Sequence, residues 1–169
     1  MSWLLHNIAP CPQHKAEVCA NYNTREQVEK TEGMLTFDGV YFNVYENKDL
    51  LVGREVILFV MGDYVGKDNS FDVGMPREDY CSWDEIVGLA KQGCKIGWHT
   101  RSHRDLTTIE DEDELVKEIK PPFPMDYFAY PYGRWNDRVI QIVKKYYKKA
   151  YAVDRTDGTE YTLLRSYVR

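Results

Sequence analysis

Apolar residues in this chain gather in seven short runs, which predict strands at 3–5, 34–37, 56–60, 95–98, 127–129, 150–153 and 163–168. Amphipathic stretches separate several of them. Ser82 and Glu85 form a capping box ahead of Trp83, Ile86, Val87 and Ala90, and Gly93 ends that helix before the next strand. Asn136 caps another helix, on which Val139, Ile142, Val143, Tyr146 and Tyr147 recur at helical spacing before a Lys-rich last turn. Strand followed by helix, repeated, predicts a mostly parallel sheet or barrel, and such folds carry their chemistry at the carboxyl ends of the strands. That rule singles out Asp38, His99 and the segment 130–133, each at or just after a predicted strand end. His6 also follows a strand.

The acidic run 110–114 reads as a solvated helix start, since carboxylates there complement the N-terminal dipole while Leu115 and Ile119 face inward. Pro121, Pro122 and Pro124 make a rigid connector, and with no long linker or internal repeat the 169 residues are expected to form one domain, 1–169. A net charge of −5 and a pI near 5.4 argue against a nucleic-acid partner, which calls for a basic footprint. The sequence has no run approaching the roughly 18 apolar residues of a membrane span and no secretory signal at its start, so a cytoplasmic location is expected. Cys11, Cys19, Cys81 and Cys94 lack C-x-x-C spacing, and in a reducing compartment they read as buried thiols rather than disulfides or a zinc cluster.

His99 and His103 are four apart, a spacing that puts both imidazoles on one side of a helical turn, where they can bind a divalent ion. A structural pair is the alternative. Asp38, the acid that ends a strand, is the candidate third ligand; its other reading is a turn residue ahead of Gly39.

The segments TFDGV at 36–40, GWHTRSHRDLT at 97–107 and FAYPYGRWNDRVI at 128–140 resemble, in order, the motifs of the polysaccharide deacetylase family with the NodB-homology domain. The resemblance extends to LLHNIAP at 4–10, LFVMGDYVGKDN at 58–69 and SWDEIVGLAKQGCKIGWH at 82–99, and so covers most of the chain. It implies a distorted parallel (β/α) barrel of about seven strands. It also implies hydrolysis of an N-acetyl group on a sugar by water activated on a divalent metal, zinc before cobalt or nickel. Carried over by position, His99 and His103 are metal ligands, Asp38 is the general base, and Tyr132 is the residue on the oxyanion side.

Three positions depart from the family pattern. Gly39 stands where the family has its second, metal-binding aspartate, so either Asp38 swings to the metal and leaves the base role open, or two histidines and water hold the ion, or no ion binds tightly. Restoring the carboxylate with Gly39→Asp is expected to tighten metal binding. Ala129 replaces an arginine two residues before Pro131, and the late Leu-x-His motif that supplies a general acid is missing; His6 is the candidate to protonate the leaving amine. Arg165, Asp154 and Arg134 are weaker candidates for rim contacts. Segments 22–34 and 105–127 are shorter than the family norm, which suggests exposed apolar surface and a homo-oligomer. The leading expectation is a metal-dependent carbohydrate N-deacetylase. The alternatives are a degenerate domain that binds a saccharide or protein without catalysis, and a hydrolase of a non-sugar amide.

Overall fold

A computed structural model of the chain describes residues 1–11, 19 and 21–168. The sheet is parallel throughout and nearly closes on itself. Its long strands are β1 (Ser2–Leu5), β4 (Met34–Asp38), β5 (Val56–Val60), β6 (Lys95–Trp98), β7 (Tyr127–Ala129) and β8 (Lys149–Ala152). Short strands β2 (Asn7–Ile8) and β3 (Tyr22–Asn23) pair apart from it. The last chain pass is split into β9 (Leu163–Leu164), which pairs with β8, and β10 (Ser166–Tyr167), which pairs with β1. The sheet order β10-β1-β4-β5-β6-β7-β8-β9 therefore comes round to a seam at Arg165, the single residue between its two ends. The expected seventh strand is real, but it breaks where the chain crosses from one edge to the other.

Alternation along the strands explains the two cores. Leu35, Phe37, Val56, Leu58 and Val60 point outward into the large core shared with the helices, while Ile57, Phe59, Ala129 and Tyr151 fill the barrel. Gly97 on β6 is required by that filling, because a Cβ there would stand 2.6 Å from the Phe59 ring and 2.9 Å from the Tyr127 carbonyl oxygen.

Three helices begin where the sequence signals them, and two shorter ones come without a signal read from it. α1 (Arg25–Lys30) and α2 (Phe42–Glu46) follow β3 and β4, and α3 (Trp83–Lys91) carries the Ser82/Glu85 capping box. α4 (Glu112–Ile119) is capped by Asp111 within the acidic run, with Leu115 and Ile119 buried as expected. α5 (Asp137–Val143) has Asn136 as its cap but stops before Tyr146 and Tyr147. Tyr147 is nonetheless buried, anchored by its hydroxyl to the Ile119 carbonyl rather than by helix continuation.

The cysteine expectation is corrected in part. Cys81 and Cys94 are buried thiols, whereas Cys11 and Cys19 form a disulfide, their Cα atoms 5.1 Å apart and within bridging range. A spacing of eight residues gave no sign of this pairing. Such bridges persist in oxidising surroundings, so the cysteines no longer support a reducing compartment. No helix among the described residues is long and apolar enough to cross a membrane.

Candidate active site

The carboxyl ends of the strands surround a cavity of about 420 Å³ whose wall includes His6, Asp38, His99, His103, Tyr132 and Asp154. Strand topology brings them together. The β1–β4 register pairs Leu5 with Phe37, so His6 follows at the level of Asp38, and Leu4, two residues earlier, lies on the same inward face.

His99 extends β6 by one more ladder bond, its N–H donating to the Val60 carbonyl at 2.8 Å. Its Nδ1 lies 2.8 Å from the Ala129 carbonyl, which accepts a hydrogen bond from the Nδ1–H and fixes the tautomer. Nε2 is thereby left as a lone-pair nitrogen facing the cavity, 3.7 Å from Asp38 Oδ2. This is the arrangement of a metal-ligating imidazole oriented by a backbone carbonyl.

His103 reaches the same place by a loop. No helical turn links the two histidines: Thr100 and His103 have φ of 66° and 59°. The His103 N–H donates to Thr100 Oγ1 at 2.9 Å, and the two imidazole centroids stand 4.8 Å apart. Buried Glu118 of α4 holds the loop by accepting from the Ser102 N–H at 2.9 Å and its hydroxyl at 2.6 Å. Tyr132, with φ of 57°, lies beside His103 at 4.8 Å between centroids. These three are the only non-glycine residues of positive φ among the described residues, and backbone strain gathered at one cavity is a mark of function.

Asp38 has a partner that the sequence reading placed on the rim. Arg165 is not a rim residue: its side chain is wholly buried at the seam, and Nη1 and Nη2 donate to the two Asp38 carboxylate oxygens at 2.5 and 2.8 Å. The break between β9 and β10 is what turns this side chain inward. Burial alone would raise the Asp38 pKa, but Arg165, with His99 and His6, outweighs it and holds the carboxyl well below the usual carboxylate range. Both oxygens are thus engaged by one guanidinium in a bidentate pair.

The three imidazoles are neutral. Burial is the main cause in each, lowering His6 to about 4, His103 to about 3, and His99 in the same direction. Neutral imidazoles suit a cation and do not suit proton donation at neutral pH, which counts against the expected role of His6 as general acid. Of the weaker candidates, Asp154 lines the cavity, and Arg134 is exposed and bonded to Asp105 at 2.7 Å.

Gly39 is more than a missing carboxylate. Its φ is +64°, and a Cβ would stand 2.9 Å from Met61 Cε and 3.0 Å from Tyr80 Cε1. An aspartate restored there would meet strain from the backbone and from both neighbours, which are fitted to glycine. Among the described residues no three His, Cys, Asp or Glu side chains are grouped to hold an ion as they stand. What fits a divalent cation is the donor chemistry: His99 with Nε2 free, and His103 with a buried Nδ1 that has no hydrogen-bond partner.

Sequence reasoning missed Glu118 and the Ala129 carbonyl as parts of this site, and it had Arg165 only as a weaker candidate for a rim contact. Only Arg165 left a trace, as a charged residue interrupting the apolar alternation of 163–168.

A model of the polysaccharide deacetylase family matches residues 25–151. A curated 30.6 kDa protein of Geobacillus stearothermophilus, named for its position in a fumA 3′ region, is 28% identical over 130 residues, 69% of this chain and 44% of its own length. Among solved structures, a polysaccharide deacetylase from Bacillus cereus superposes with a TM-score of 0.71 at 16% identity, covering 99% of this chain and 64% of that one. The Streptococcus pyogenes deacetylase PplD, solved with acetate, gives 0.72 at 16% identity, and IcaB from Ammonifex degensii 0.71 at 18%. Each of these two covers 99% of this chain and 91% of the neighbour. The fold is therefore shared, while the chain spans less than two thirds of the B. cereus and Geobacillus proteins.

Proposed function

This chain belongs to the polysaccharide deacetylase family, and on that premise we propose that it removes an N-acetyl group from a carbohydrate by metal-assisted amide hydrolysis. The observation that carries the reading is the meeting of Asp38, His99, His103 and Tyr132 on one cavity at the carboxyl ends of the strands. His99 and His103 would hold the ion, zinc before cobalt or nickel, and it would polarise the amide carbonyl and acidify water.

Asp38 has the part of base. Arg165 keeps it ionised at any working pH and aims it into the cavity. It takes a proton from the attacking water. As the carbon–nitrogen bond breaks, the proton passes to the leaving nitrogen, giving acetate and a free amine. The same ion pair makes Asp38 a weak base, so turnover is expected to be slow. The backbone beside Tyr132, bent into the left-handed region next to His103, is the candidate for stabilising the oxyanion.

Gly39 and the locked Asp38 favour a second reading, a domain that binds an N-acetylated saccharide without hydrolysing it. Incubation of the zinc-loaded protein with an N-acetylated chito-oligosaccharide, with assay of both acetate and free amine, separates the two. Release that disappears in Asp38→Asn and His99→Ala supports hydrolysis. Saccharide binding with no release supports the second reading, and undiminished release in Asp38→Asn would remove Asp38 from the reaction.

A further inference from the structure

Buried polar side-chain atoms are almost always paired, and an orphan calls for a missing water, an ion or a catalytic demand. Among the described residues the orphans are His6 Nδ1, His103 Nδ1 and Arg165 Nε, and both imidazoles line the cavity that holds His99 and Asp38. We infer that His6 supplies the third protein ligand of the ion, an imidazole from β1 taking the place of the carboxylate absent at Gly39. This rests on reading the cavity as a metal-assisted site, and it places His6 on the ion rather than on the leaving amine.

The competing third ligand is Asp38. Drawing it onto an ion would break two charge-assisted hydrogen bonds and leave the Arg165 guanidinium buried without its anion. His6 has no such tie, since its buried Nδ1 gives up no hydrogen bond when the ring turns. Its position is right as well. It follows the Leu5–Phe37 pair of the β1–β4 ladder, at the level where Asp38 and Gly39 leave β4, and on the inward face. Because the donors are not yet grouped around one point, the shell closes as an ion draws in the two rings whose Nδ1 atoms nothing holds. His99, pinned by Ala129, is the fixed member. Three neutral imidazoles with an open position form a donor set known to suit catalytic zinc.

The test uses the full chain loaded with cadmium-113 and labelled with nitrogen-15 in its histidines. Scalar coupling between the metal and a ring nitrogen reports a direct bond whether or not any acetyl group is released. Coupling at His6, His99 and His103 is expected, with zinc affinity falling at least about tenfold in His6→Ala. His6→Asn, closer in shape, keeps the affinity arm decisive if the alanine variant does not fold. Coupling confined to His99 and His103, unchanged affinity in the folded His6 variant, or no metal bound at all would each overturn the inference. Coupling at His6 in a protein that never releases acetate would sink the proposed reaction but leave the donor set standing. Acetate release with His6 uncoupled would do the reverse.

Discussion

The two sides of the cavity are held by different physics. On the β6–β7 side, His99, His103 and Tyr132 are neutral and are placed by backbone: a carbonyl on Nδ1, three left-handed residues, and a buried glutamate on the loop. On the seam side, a full positive and a full negative charge sit out of water in bidentate contact, with Thr36 Oγ1 as a further acceptor for the guanidinium at 3.3 Å. Backbone placement tolerates the loss of one side chain, because the other bonds remain. A buried ion pair does not tolerate it, since the surviving charge has no solvent to turn to. The seam should therefore be the fragile half, although the recognisable motifs lie on the other. Arg165→Met tests this most severely. It strands the Asp38 carboxylate, and a loss of about 3–5 kcal/mol in urea unfolding is expected. Adding Asp38→Asn should recover part of that loss, and a cost in the single variant no larger than that of a surface ion pair would show the seam to be solvated.

Acid should distinguish the sides next. His6 and His103 have folded pKa values of about 4 and about 3, against 6.5 unfolded. Between those values the unfolded chain binds more protons than the folded one, so stability falls as pH falls. The loss begins near pH 6.5 and continues to about pH 4 and below, at roughly 8 kcal/mol in total. Asp38 adds its own loss only further down, because a carboxyl held below its normal range stays charged until strong acid. In metal-free protein, thermal midpoints measured across pH 7 to 4 should decline steadily. A flat profile over that interval would mean that the imidazoles are not buried neutral. Replacing both with asparagine should reduce that slope and leave the part due to His99.

How much of this was legible in the sequence follows from the same division. The family motifs, the capping box at Ser82, the strand runs and the convergence of Asp38, His99 and Tyr132 depend on local pattern or on the rule that strands end at one rim. The seam depends on where one edge of the sheet meets the other, which no local pattern reports. Arg165 sits 127 residues from Asp38, and Glu118 lies 16 from Ser102 on a helix that reads as merely amphipathic. The histidine spacing misled for a related reason: four residues suit a helical turn, but Thr100 and His103 adopt φ values that no helix allows. Glu118→Ala sharpens the point. It leaves the Ser102 N–H and hydroxyl without their acceptor, at an expected cost of about 1–3 kcal/mol. Ion affinity should weaken with it, because the loop carrying His103 is freed. Stability lost with affinity intact would show that Ala129 and Thr100 suffice to place the histidines.

Gly39→Asp is the mildest test and bears on both halves, because position 39 leaves β4 directly after the seam aspartate. An L-residue at φ +64° costs on the order of 1–2 kcal/mol, and aspartate is among the side chains that bear it best. Met61 can yield at its flexible end, whereas Tyr80 is fixed by its hydroxyl bond to Tyr41 at 2.9 Å. The variant should therefore fold with a modest drop in midpoint. Its carboxylate would start beside Tyr80 rather than aimed at His99, so zinc affinity should rise little if His6 already completes the shell. A large rise would mean that the ion has only two protein ligands in the natural chain and that the third position was waiting for an acid. The same protein thus reports backbone strain through its melting and donor count through its affinity, and the two readings do not depend on each other.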